Sequence, residues 1–203
     1  MKQIVQFIED NNISEEEVAK AARMSLRNFR RQIHSEDRTQ TRIVLILADY
    51  NHQSIDSIFF DQMYNQPINL EGLTWNQVQD IMKLIHPELF TDIKRSSKFK
   101  NFEYNLKNDM GDRMRFIREV VFSLSQTQFG KYMEVTRNTA KYWDEGQINV
   151  DKILKISQRT NISMDFMIRD NNPLTLQTQG MSEALYLAVM TNCVLYRLRN
   201  MKQ

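Results

Sequence analysis

The sequence predicts an all-α chain, and three observations carry that expectation. Amphipathic stretches of helical period recur along the 203 residues, with few alternating ones. Ser or Thr heads several of these stretches, where an N-cap is wanted. Only three Pro and five Gly interrupt them. With 26% charged and 41% hydrophobic residues the composition suits a folded chain. The length allows one large domain or two to three small ones.

Several function classes are excluded at once. The single Cys193 rules out an intrachain disulfide framework and a multi-cysteine zinc site, and points to a reducing cytoplasm. Five Gly leave no glycine-rich phosphate cradle. No apolar run reaches the roughly 18–20 residues of a membrane span, and the start, MKQIVQFIED, lacks a signal peptide's long apolar core. His34, His52 and His86 share no metal-binding or catalytic spacing. No enzyme activity, metal or cofactor is therefore expected.

The net charge of +2 is nearly neutral, so any affinity for nucleic acid must come from local clustering. It divides as −1 over residues 1–60, −1 over 61–110, +2 over 111–173 and +2 over 174–203. Turn-rich stretches at 61–67, 108–112 and 170–173 separate these parts.

In chain order, the first part predicts a helix over KQIVQFIEDN. Two short helices follow, headed by Ser14 and Ser25, and RIVLILADYNHQSIDSIFF gives two more. In the second part Thr74 caps a helix over TWNQVQDIMKLI, with Trp75, Val78, Ile81, Met82 and Ile85 on one stripe. Pro87 ends it or starts a short helix PELFTDIK. Lys94, Arg95, Lys98 and Lys100 then alternate with Phe99, Phe102 and Tyr104, which reads as a solvated linker or as a grip on a nucleic-acid backbone.

The third part predicts a helix over RMRFIREVVF, two helices of about eight residues capped by Ser125 and Thr136, then NVDKILKISQRTN and ISMDFMIRD. Phe129, Met133, Val135, Ala140 and Trp143 face the two short helices toward each other, and Gly130 is small where they would cross. That is the sequence form of a helix-turn-helix. From Met181 a final helix is capped by Ser182. It carries one stripe of Leu185, Val189, Asn192, Cys193 and Tyr196, and another of Leu187, Met190, Val194, Leu198 and Met201. A helix apolar on two sides is expected between two surfaces.

Leu124-Ser125-Gln126, Phe129-Gly130 and Val135-Thr136-Arg137 through Trp143-Asp144-Glu145-Gly146 closely resemble the Cro/phage-repressor helix-turn-helix family over about 60 residues. One departure is Glu134, where the family commonly has Gly in a left-handed turn, at a cost of about 1 kcal/mol. The resemblance implies a recognition helix starting at Arg137 whose first turns enter the major groove. Arg137, Asn138, Lys141 and Tyr142 would meet base edges or phosphates there, with Gln126 and Thr136 at helix starts that favour a phosphate.

Setting Leu124 over Ile13 aligns the first part with the third, a repeat with a period of about 111 residues. Gly130 falls on Ala19, Thr136 on Ser25, Lys141 on Arg30 and Trp143 on Gln32. The diverged copy has Glu15, Glu16 and Glu17 at the head of its second helix, which suit the helix dipole and repel a phosphate. Arg27, Arg30 and Arg31 make its recognition face cationic, with Arg23 in the turn. DNA is one partner for that face and an acidic protein surface another.

The expected architecture is two small helix-turn-helix bundles: a diverged domain over 1–60, a helical linker region over 61–110, a repressor-type domain over 111–173, and a C-terminal helix over 174–203 suited to homodimerisation. The expected function is a sequence-specific, double-stranded-DNA-binding transcriptional regulator, by default a repressor, of a phage, plasmid or other mobile element. The rival readings are a helix-turn-helix protein-binding inhibitor of the anti-CRISPR type and a plasmid-transfer accessory DNA-binding protein.

Overall fold

The computed structural model describes residues 2–35, 39–60, 67–90 and 104–202. Over these the chain is mostly helical, as an all-α fold requires. The first set of elements is α1 (Lys2–Asp10), α2 (Glu15–Ala21), α3 (Leu26–Ile33), α4 (Thr41–Tyr50), α5 (Asp56–Phe59), β1 (Ile68–Asn69) and α6 (Trp75–Ile85), followed by a 3-10 turn over Pro87–Phe90. The second is α7 (Met110–Phe116), which runs on as a π-helical turn over Ile117–Val121, then α8 (Gln126–Met133), α9 (Arg137–Asp144), α10 (Val150–Thr160), α11 (Met164–Ile168), β2 (Thr175–Leu176) and α12 (Glu183–Asn200).

The helices start where the sequence places caps. Ser14, Ser25, Thr74, Ser125, Thr136 and Ser182 each accept a hydrogen bond from the amide three residues on. Each satisfies one unpaired donor of a helix start, worth about 1 kcal/mol. Behind the caps, Ile4, Val18, Phe29, Ile33, Val44 and Leu47 are buried in the first set, and Met114, Phe129, Met133, Ala140, Trp143 and Ile153 in the second.

The repeat extends well past the fifth helix. Pro67-Ile68-Asn69-Leu70 in and around β1 matches Pro173-Leu174-Thr175-Leu176 around β2. Gly72 (φ 81°) matches Gly180 (φ 78°), and the cap of α6, Thr74, matches the cap of α12, Ser182. Each unit is therefore five helices, a strand and a sixth helix. The stretch expected as a linker and the tail expected as a separate helix are, over the described residues, equivalent parts of two copies. The basic residues Lys94, Arg95, Lys98 and Lys100, with Phe99 and Phe102, lie outside the described residues.

The two units meet about a pseudo-two-fold axis. In the antiparallel pair β1–β2, Asn69 stands opposite its own equivalent Thr175, and Ile68 opposite Leu176. The Leu70 amide donates to Leu174 O at 2.9 Å, completing the symmetric set. The fifth helices also exchange caps, one residue out of strict equivalence. Asp56 Oδ1 accepts from the Met164 amide at 2.8 Å, and Asp165 Oδ2 accepts from the Asp56 amide at 3.2 Å. Such an exchange of like contacts is an isologous interface, here within one chain.

The sixth helices pack on each other, Val78, Ile81 and Met82 buried on α6 and Val189 and Cys193 on α12. The start of α6 meets the end of α12, where the Gln77 and Asn200 side-chain amides pair reciprocally at 3.0 Å. α6 also leans on the second unit: Gln79 Nε2 donates to Val120 O at 2.6 Å, and Trp75 meets Phe116 edge-on at 4.8 Å. Trp75, expected on the buried stripe, is half exposed for this reason, because it caps the interface at its rim. Among the described residues no helix is long and apolar enough to cross a membrane.

Candidate nucleic-acid interface

The helix-turn-helix of the second unit is built by close approach. A Cβ on Gly130 would lie 2.9 Å from Val135 O, so only Gly lets α8 cross the turn into α9 at this distance. Phe129 and Trp143 close the crossing edge to face at 6.3 Å, over buried Met133 and Ala140. Glu134 occupies the left-handed region at φ 58°. Its carboxylate meets Arg159 at 2.7 Å and Lys155 at 3.5 Å on α10. The Arg159 hydrogen bond and charge keep that carboxyl below the usual glutamate range.

Gly111, which sequence reasoning did not single out, is equally constrained. A Cβ there would stand 2.7 Å from Asp144 O and 2.8 Å from the Gly146 amide, so α7 passes directly against the end of α9. In the sequence it reads only as part of the turn-rich stretch 108–112.

Under the two helices lies a buried ionic network, also unanticipated. Arg118, 3% exposed, grips Asp144 through Nη2 at 2.6 Å and Nε at 3.2 Å, and donates to Glu119 at 2.8 Å and Leu124 O at 2.9 Å. Burial opposes the arginine's charge, and the two carboxylates more than restore it, raising its pKa. Gln126 belongs to this network: its Nε2 donates to Asp144 Oδ2 at 2.9 Å. Gln126 stands first in α8, the helix start at which a phosphate is expected, and its side-chain donor is directed inward because the start of α8 abuts the end of α9.

The remaining expected contacts come together on one surface. Thr136, Arg137, Asn138, Lys141 and Tyr142 are all exposed. Thr136 Oγ1 accepts from the Thr139 amide at 3.1 Å and thereby fixes the first turn of α9. Lys141 lies 3.4 Å from Glu145, an exposed pair of little energetic weight.

The first unit keeps the frame and changes its surface. Arg23, the counterpart of Glu134, is likewise left-handed at φ 52°. Ala19 stands for Gly130. Aromatic volume moves by one turn, Phe29 being fully buried where the second unit has Ala140. Gln32, in place of Trp143, is buried as a polar anchor: its carbonyl accepts from Thr39 Oγ1 at 2.9 Å and its Oε1 from the Gln40 amide at 3.4 Å.

Arg27, Arg30 and Arg31 are exposed on α3. They are not equally available. Arg30 Nε is 2.6 Å from Glu15 Oε2, and Arg31 Nη2 donates to Asn28 Oδ1 at 2.8 Å. The acidic start of α2 thus restrains one cation of the exposed face of α3 directly.

Cys193 is a buried free thiol whose pKa burial raises, a small hydrophobe between α12 and α6. His34 ends α3, His52 lies in the turn after α4, and His86 ends α6. No group of three or more His, Cys, Asp or Glu able to hold a metal occurs among the described residues. In comparisons with known proteins, no protein-family model, no curated protein and no solved structure matches the chain.

Proposed function

We propose that the chain is a cytoplasmic, sequence-specific regulator that binds double-stranded DNA, acting by default as a repressor. The observation that carries this reading is the exposure of Arg137, Asn138, Lys141 and Tyr142 together on the first turns of a braced α9. Arg reads guanine and Asn reads adenine through paired hydrogen bonds, each worth about 1–3 kcal/mol of discrimination. Lys141 supplies phosphate affinity. Gln126 supports α9 from beneath and does not need to touch DNA itself. Arg27 and Arg31 extend the cationic contact through the first unit.

Selection from random duplex DNA tests the reading and should yield a discrete motif, with affinity falling steeply as salt rises. Binding no tighter than to random DNA would refute it and favour a protein partner for the cationic face. In Arg137→Ala/Asn138→Ala, each substitution should cost about 1–3 kcal/mol and preference should relax at the corresponding bases. Lys141→Ala should weaken all sequences alike and reduce the salt slope by about one.

Homodimerisation through α12 is part of the proposal. The stripe Val189–Cys193 is covered by α6, but Ala184, Leu187, Thr191, Val194, Leu198 and Met201 are all exposed. These residues follow the alternating three- and four-residue spacing of a coiled-coil seam. Sedimentation at micromolar concentration should give twice the chain mass, and Leu187→Glu/Leu198→Glu should give the chain mass with helicity unchanged. A monomeric wild type would eliminate this contact.

A further inference from the structure

The pseudo-two-fold axis says what kind of DNA site the proposed regulator would read. We infer that one chain, without a second copy, engages a single duplex through two unlike half-sites in inverted orientation. This rests on the reading of the chain as a DNA-binding regulator and adds the form of the site.

The strand pair defines the axis, and two further reciprocal contacts between equivalent elements accord with it. The β1–β2 pair is centred on Asn69 and Thr175. Asp56 and Asp165 cap each other's helices, α11 and α5. α6 and α12 pack against one another. The operation that exchanges these partners also exchanges α3 with α9, since each is the third helix of its unit.

B-DNA has dyads of its own perpendicular to its axis. Two readers related by a two-fold therefore match a pair of half-sites written in opposite directions, about one helical turn or a multiple of it apart. In a symmetric homodimer the half-sites are alike because the readers are identical. Here they differ at every outward position: Leu26 and Arg27 stand where the second unit has Arg137 and Asn138, and Arg30 and Arg31 where it has Lys141 and Tyr142. Arg137 and Asn138 on α9 supply paired donors and acceptors for base edges. On α3, Arg30 is paired with Glu15, while Arg31, steadied by the neutral Asn28, stands with Arg27 as its cationic contacts. The α9 half-site is the more stringent of the two.

The units are fastened for this use. Arg169, at the end of α11, bridges Asp165 at 2.7 Å and Asp49 of the first unit at 2.5 Å, and donates to Gln53 O at 3.3 Å. The Ser163 hydroxyl donates to Asp56 at 2.5 Å. A hydrogen-bonded seam of this kind, buried at Ser163 and Asp56, fixes the relative placement of two readers, where a flexible tether would not.

The test uses a random-sequence duplex long enough for two half-sites, about 30 base pairs. The probe protein is the full chain carrying Leu187→Glu/Leu198→Glu, so that pairing through α12 cannot supply a second recognition helix. Selected duplexes should carry two unlike motifs, inverted and at fixed spacing, and native mass spectrometry should count one chain per duplex. Arg137→Ala/Asn138→Ala should erase one motif and leave the other, and Arg27→Ala/Arg31→Ala should do the reverse. A single motif, a palindrome holding two chains, or two duplexes held by one chain would each overturn the inference while leaving DNA recognition intact. Absence of any motif would instead defeat DNA recognition, and this inference with it.

Discussion

Arg118→Met should lower the stability of the chain by about 3–5 kcal/mol, the largest loss expected of any single substitution in the described structure. Removing the guanidinium leaves Asp144 and Glu119 facing each other in a nearly dry site, and Leu124 O without its donor. Gln126 alone cannot satisfy Asp144. Urea unfolding should show the midpoint displaced with an unchanged slope. Arg118→Met/Asp144→Leu should recover part of the loss, because a neutral pair no longer strands a charge. A loss below about 1 kcal/mol would show that water reaches the site and that the network is not what braces α9.

The second large effect is a pH dependence located at the seam between the units. Burial, reinforced by the neighbouring Asp165 carboxylate, pushes the Asp56 carboxyl up to about 7, against the pull of its hydrogen bonds from Ser163 and Met164. The raised value means that the folded chain prefers the protonated acid. Its stabilising contribution is complete below about pH 4 and is lost as pH rises through about 7, a swing of about 4 kcal/mol. Arg169 donates to Asp165 Oδ1, so its charge is spent on the neighbouring carboxylate. Asp56→Asn keeps an acceptor for the Met164 amide and carries no charge. Urea midpoints of the wild type should fall between pH 5 and pH 8, and those of Asp56→Asn should fall much less. Parallel curves would place the pH dependence elsewhere.

Much of this was legible in the sequence because its signals are local. The caps at Ser14, Ser25, Thr74, Ser125, Thr136 and Ser182 need only the residue and the amides that follow it. The left-handed turn at Glu134 and the crossing at Gly130 follow from chain geometry over a few positions. The outward residues of α9 follow from helical period once Ala140 and Trp143 are assigned inward.

Other features depend on what lies across the molecule. Gly111 is constrained by the end of α9, and Gln126 is turned by Asp144, neither of which periodicity reveals. Arg118 lies within RMRFIREVVF, whose period assigns it no role, yet it is buried in the π-helical turn with its guanidinium on Asp144 at the end of α9. The full repeat was hidden by changes of register. A gapless comparison through the recognition helices loses step before Pro67 and Pro173, so α6 and α12 looked unrelated.

The lean of α6 onto the second unit bears on how the chain assembles. During synthesis the first unit finishes with Ile68, Val78, Ile81 and Met82 still uncovered, since their partners lie far down the chain; Gln77 and Asn200 are 123 residues apart. Closing so long a loop is slow beside the local folding of either bundle. In that interval the α6 arm of one molecule fits the waiting surface of another, because the strand register and the helix contact would be the same. Crowded expression should therefore favour arm-exchanged chains, and dilution during refolding should favour the self-closed form.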